Sequence, residues 1–133
     1  MFSPDTHVLI VDDTKTIRSL LREMLRNIGF ARITEAPDGA RALQMMKENS
    51  GTPDEFGFII SDWNMPNMTG IELLEVRNSD DRFKDVPFLM VTIESEREYV
   101  LKAVSMGVSD FVVKPFSEST LKSKIQSIHE RMK

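Results

Sequence analysis

Four short apolar runs recur along the chain, and each closes on polar residues. His7-Val8-Leu9-Ile10-Val11 precedes Asp12 and Asp13, Phe58-Ile59-Ile60-Ser61 precedes Asp62, Phe88-Leu89-Met90-Val91 precedes Thr92, and Phe111-Val112-Val113 precedes Lys114. Such runs read as strands buried on both faces, the mark of a parallel sheet. Between them the period becomes helical. Ile17, Leu20, Leu21, Met24, Leu25 and Ile28 form one apolar stripe, and Gly29 stands where a left-handed cap is expected. A short strand follows through Ile33 to Ala36. Pro37-Asp38-Gly39 then turns the chain, with Asp38 capping a helix that carries Ala42, Leu43 and Met46. Residues 48–55 are polar and turn-rich and read as a mobile loop.

Past Asp62 the alternation continues. Thr69 and Glu72 have the spacing of a capping box for a helix with Ile71, Leu73, Leu74 and Val76. A charged loop from Asp80 to Asp85 leads into the Phe88 run. Ser95 and Glu98 repeat the box before a helix through Tyr99, Val100, Ala103 and Val104, which Gly107 stops. Ser117 opens a last helix with Leu121, Ile125, Ile128 and Met132 on one face. Five strands alternating with five helices predict right-handed βαβ units around a parallel sheet.

Bulk properties narrow the function. At 133 residues the chain reads as one domain, 1–133, too short for an attached output domain of ordinary size. A net charge of −4 and a pI near 5.2 argue against non-specific nucleic-acid binding. The absence of cysteine removes disulfides and thiolate metal sites. No signal-peptide pattern or apolar stretch of about 18 residues is present, so a soluble cytoplasmic domain is expected.

In a parallel sheet ligands bind outside the carboxyl ends of the strands, so Asp12, Asp13, Asp62, Thr92 and Lys114 should converge on one edge. Clustered carboxylates repel unless a cation binds among them, and hard oxygen ligands favour magnesium or calcium. With an ammonium and a hydroxyl nearby, the edge is a natural receptor for a phosphoryl group. Taken singly, each aspartate is a turn former, Thr92 a solvated strand end and Phe111 a packed core aromatic; their convergence argues for a site. His7 and His129 have no metal-ligand spacing and read as incidental. The nine methionines read as adaptable filler, with Met65 and Met68 able to add plasticity near the site. Trp63, beside Asp62, is a natural optical reporter.

Four segments carry a resemblance: VDD at Val11–Asp13, SDWNMPNMTG at Ser61–Gly70, LMVT at Leu89–Thr92 and FVVKPF at Phe111–Phe116. In this order the chain resembles the receiver domain of two-component response regulators, and most of all the single-domain chemotaxis members, from about His7 to the last helix. The resemblance implies an α/β, flavodoxin-like (βα)5 fold, with a five-stranded parallel sheet of order 2-1-3-4-5 and helices on both faces. It also implies that Asp62 accepts a phosphoryl group from a CheA-like histidine kinase. Magnesium would be held by Asp13, Asp62 and the main-chain carbonyl of Asn64, with Asp12 helping directly or through water. Thr92 and Lys114 would bind the phosphoryl oxygens, the Lys114-Pro115 bond would be cis, and Phe111 would turn inward on activation.

The implied target is a flagellar motor switch protein, met by Ser95, Tyr99, Phe111 and Lys124 on the fourth helix, fifth strand and fifth helix. A phosphatase is a further candidate partner, and the chain would act as a monomer without membrane or nucleic acid. Side chains at Asn64 and Glu94 would govern how water reaches the acyl phosphate. Ile93 departs from the small residue usual after Thr92, and its bulk would narrow access to the site. The segment between the second helix and third strand is also longer than usual.

The chemistry supports these roles independently. A carboxylate can act as a covalent nucleophile, and phosphoryl transfer needs mainly positioning and charge neutralisation. The expectation is a phosphorylatable switch that catalyses only its own phosphorylation and dephosphorylation. The alternative use of the same chemistry is a phosphoryl shuttle or sink between histidine-containing proteins. A small phosphohydrolase would need a general acid and a cap, and neither is found. A flavin mononucleotide carrier would need a phosphate-binding loop after the first strand, where Asp12-Asp13-Thr14-Lys15 would repel phosphate.

Overall fold

The structure is a computed structural model described over residues 2–93 and 97–132, without the side chains of Arg97 and Tyr99. Its elements alternate as expected: β1 His7–Val11, α1 Lys15–Ile28, β2 Arg32–Ala36, α2 Gly39–Asn49, β3 Phe58–Asp62, α3 Gly70–Ser79, β4 Phe88–Ile93, α4 Arg97–Ser105, β5 Asp110–Lys114 and α5 Glu118–Arg131. The strands form one sheet in the order β2-β1-β3-β4-β5, and every pairing is parallel.

The apolar runs decide the layers. Successive side chains of a strand point to opposite faces. Val8, Ile10, Phe58, Ile60, Leu89 and Val91 therefore pack with Leu21 and Leu25 of α1 and Leu121 and Ile125 of α5. Leu9, Val11, Ile59, Phe88 and Met90 pack with Ala42 and Met46 of α2, Leu73 and Leu74 of α3 and Ala103 of α4. Both faces of β1, β3 and β4 are thus covered, and each fully buried Leu or Ile contributes about 1.5–3 kcal/mol. The chain leaves β1 toward β2 on one side and returns to β3 on the other. Connections diverging in this way open a crevice at the carboxyl ends of β1 and β3.

The predicted helix ends are present. Asp38 accepts a hydrogen bond from the Arg41 amide at 2.8 Å. Thr69 and Glu72 complete both arms of their box at 3.2 and 3.1 Å, and Ser117 accepts from the Thr120 amide at 3.1 Å. Gly29 and Gly107 end α1 and α4 with φ of 128° and 84°. The Ser95–Glu98 box lies outside the described residues.

Four expectations need correction. Leu20 is 44% exposed, because it lies about 140° around α1 from the buried Leu25. Met132 is 53% exposed; it falls at the cap after α5, beyond the last turn that faces the sheet. The segment read as a mobile loop is tied down. Its first residues extend α2 to Asn49, Phe56 is buried, and Arg32 holds Asp54 at 2.6 Å and the Pro53 carbonyl at 3.2 Å. His7 is no incidental residue either. Its Nδ1 donates to the Asp54 carbonyl at 2.7 Å, its Nε2 bonds the Thr34 hydroxyl at 2.6 Å, and its ring lies 4.3 Å from that of Phe56.

Candidate phosphoryl-accepting site

Parallel pairing brings the strand ends together, so residues far apart in sequence meet at one edge. Asp12 and Asp13 follow β1, Asp62 ends β3, Thr92 lies one residue past the partner of Asp62 on β4, and Lys114 ends β5. Each of the three carboxylates offers an oxygen within 4.8 Å of the others, which is a spacing that one cation can bridge. Asp12 is buried, Asp62 partly buried and Asp13 exposed, so the cluster opens to solvent on the Asp13 side.

Each group is held by its neighbours. Asp12 accepts from the Thr14 amide at 2.8 Å and from the Lys114 ammonium at 3.2 Å. Lys114 also lies 3.5 Å from the Asp62 carboxylate. The Lys114–Pro115 bond is cis, as expected. Behind Asp62 the chain is fixed by the Trp63 amide, which donates to the Val91 carbonyl at 2.9 Å, and by the Gly70 amide, which donates to the Trp63 carbonyl at 2.9 Å. A Cβ at position 70 would overlap the Asp62 carbonyl oxygen, so glycine is required for this close turn.

Three carboxylates against one ammonium leave the pocket anionic. Burial pushes the Asp62 carboxyl up from its ordinary 3.8 to about 6; Lys114 opposes the rise and Asp12 adds to it. A carboxylate kept costly by burial and by a like charge gains most from a bound cation. The donor set is all oxygen, as hard divalent ions prefer, so these residues fit magnesium.

Thr92 is buried rather than solvated, and its hydroxyl donates to the Ile93 carbonyl at 3.3 Å. Ile93 is 44% exposed and shares its strand face with Val91, opposite Lys114 in the register. Asn64 is exposed in the loop after Asp62. Phe111 is only partly buried, with the Lys124 ammonium 5.2 Å from its ring centre. Lys124 in turn pairs with Asp110 at 3.3 Å. An open groove of about 320 Å³ runs along Phe111, Val113, Phe116, Thr120 and Lys124. Ser95 and Glu94, and the side chain of Tyr99, lie outside the described residues.

Sequence reading missed one support of the site. Arg18 donates to the main-chain carbonyl of Asp12 at 2.6 Å while pairing with Glu35 at 3.2 Å, and Arg22 pairs with the same Glu35 at 2.8 Å. Glu35 on β2 thus aims a guanidinium at the turn that carries Asp12 and Asp13. The available signal was the i, i+4 pair of arginines on the polar flank of α1, facing an acid on the predicted second strand.

The profile of the response regulator receiver domain matches residues 8–126. The chain belongs to the response regulator receiver domain family. Its members are signalling switches rather than classical enzymes. The chain is 46% identical over 125 residues to the chemotaxis protein CheY of Pseudomonas aeruginosa, covering 94% of this chain and 97% of that protein. It is 43% identical over 125 residues to CheY-3 of Vibrio cholerae, covering 94% and 92%. Among solved structures, the chemotaxis response regulator CheY4 of Vibrio cholerae superposes with a TM-score of 0.81 at 33% identity, covering 92% of this chain and 98% of that one. The receiver family, the flavodoxin-like strand order and the chemotaxis likeness agree with the reading of the sequence. No helix among the described residues is long and apolar enough to cross a membrane.

Proposed function

We propose that this receiver domain is a cytoplasmic chemotaxis switch. Asp62 takes a phosphoryl group from the phosphohistidine of a CheA-like kinase, and the phosphorylated form binds a flagellar motor switch protein. One observation carries the reading: the Asp62 carboxylate sits in a three-carboxylate cluster, 3.5 Å from the Lys114 ammonium.

An Asp62 oxygen attacks phosphorus, the P–N bond breaks, and its electron pair leaves with the imidazole. The product is an acyl phosphate. Asp13, Asp62 and the Asn64 carbonyl, with Asp12 directly or through water, would hold magnesium, which would supply charge to neutralise the phosphoryl oxygens. Lys114 supplies further positive charge, and its pairing with Asp12 keeps the ammonium in the pocket. The Thr92 hydroxyl turns from the Ile93 carbonyl toward a phosphoryl oxygen. That movement leaves room for Phe111 to swing inward, releases Lys124 from its ring and reshapes the groove beside α5. The change is a shift between two conformations that the unphosphorylated protein already samples.

Incubation with acetyl phosphate and magnesium should add one phosphoryl group, and Asp62→Asn should abolish it. Label persisting at the same level in that variant would remove Asp62 from the role. A motor switch fragment should bind the beryllofluoride-activated protein more tightly than the native protein. Equal affinity, combined with phosphoryl passage to a second histidine domain, would favour the shuttle.

A further inference from the structure

The loop between β3 and α3 has to stand still for its backbone to serve the site, and its fastening lies outside the carboxylate cluster. Asn67 takes a left-handed backbone, φ 67°, the one described non-glycine residue to do so. Its side-chain amide donates to Asp38 Oδ2 at 2.9 Å, while Asp38 Oδ1 accepts from the Arg41 amide at 2.8 Å. One carboxylate therefore caps α2 with one oxygen and grips the loop with the other. Beside it, Gly39 lets the loop press close: a Cβ there would stand 2.7 Å from the Met68 carbonyl oxygen and 2.9 Å from the Met68 Cβ. The Met68 amide closes a tight turn onto the Pro66 carbonyl at 2.7 Å. The two amides that Asp38 accepts from, that of Arg41 foremost and then that of Asn67, hold its carboxyl below the usual carboxylate value.

We infer that Asp38 and Asn67 are positioning residues for the cation site, clamping the loop so that the Asn64 carbonyl is presented toward Asp13 and Asp62. The inference rests on the reading of that site as a magnesium site. Without the clamp the loop samples other conformations, and the apparent affinity falls in proportion to the fraction still competent.

The test titrates magnesium alone while following the fluorescence of Trp63, the only tryptophan, with metal-free urea unfolding measured in parallel. Asn67→Gly keeps the left-handed backbone accessible and removes the amide. Asp38→Ser keeps a good helix cap and removes the second oxygen. Each should weaken magnesium binding about three- to tenfold, and the double variant should lose no more than the worse single. Exchanging donor and acceptor, Asp38→Asn with Asn67→Asp, should recover most of the affinity. Single variants that shift the urea midpoint but bind magnesium as the parent does overturn the inference, as does an exchange that recovers nothing. A parent with no saturable response to magnesium overturns the reading of the site itself.

Discussion

Replacing Asp62 with asparagine should stabilise the metal-free protein at neutral pH, although it destroys the proposed phosphoryl acceptor. The Asp62 side chain is 13% exposed, and burial holds its pKa near 6 against an ordinary 3.8. A carboxyl whose folded pKa is raised favours the fold in its protonated form. That contribution is full below pH 3.8 and is lost as pH rises through about 6, so the ionised group is a net cost at neutrality. At 1.36 kcal/mol per pKa unit the ceiling is about 3 kcal/mol. Water entering beside the exposed Asp13 screens the charge, which reduces the figure to about 1–2 kcal/mol. Lys114 keeps Asp12 as partner in the variant, at 3.2 Å, so no buried ammonium is orphaned. For a chain of this size the gain corresponds to about 4–8 °C in Tm.

Urea unfolding followed by circular dichroism, with a chelator present, measures the difference without relying on Trp63. The gap between Asp62→Asn and parent should be largest above pH 6 and should shrink as pH falls toward 4. Magnesium at tenfold its Kd should return about 1.4 kcal/mol to the parent and less to the variant. An asparagine variant that is less stable than the parent at neutral pH without metal would refute the claim that Asp62 is held at a cost.

Three further outcomes are expected. Asp13→Ala should abolish or greatly weaken the magnesium response of Trp63, and binding equal to that of the parent would remove Asp13 from the ligand set. Ile93→Ala should speed both phosphorylation by small donors and spontaneous loss of phosphate, because the side chain lies on the strand face of the site and orienting a water requires that water can enter; unchanged rates would show that it blocks nothing. Arg77→Ala should cost about 2–4 kcal/mol in urea unfolding, since this buried guanidinium donates to the Val86 carbonyl at 3.0 and 2.8 Å. A loss below about 0.5 kcal/mol would mean water replaces those bonds freely.

Asp12, Asp13, Asp62, Thr92 and Lys114 were legible as a group because each directly follows an apolar run. A parallel sheet converts that one-dimensional position into a shared edge. The caps at Asp38, Thr69 and Ser117 were legible for a similar reason, since a cap is a contact between residues two or three apart. Leu20 and Met132 were misplaced where periodicity alone was used. A stripe shows which residues can face a core, not how wide the covering surface is.

The sequence by itself determined the alternation of strands and helices, the buried strands and the residues at their carboxyl ends, because these depend on local period and on short-range hydrogen bonding. Only the tertiary structure decided that Glu35 steers Arg18 onto the Asp12 carbonyl, that His7 and Arg32 fasten the segment before β3, and that Asp38 reaches across to Asn67. Apart from the Arg18–Asp12 bond, each of these contacts joins polar residues 17 to 47 positions apart. Nothing in the local pattern of a polar residue distinguishes a solvated side chain from one with a distant partner. The strand order decides which polar groups meet, and burial at the meeting point makes their bonds matter.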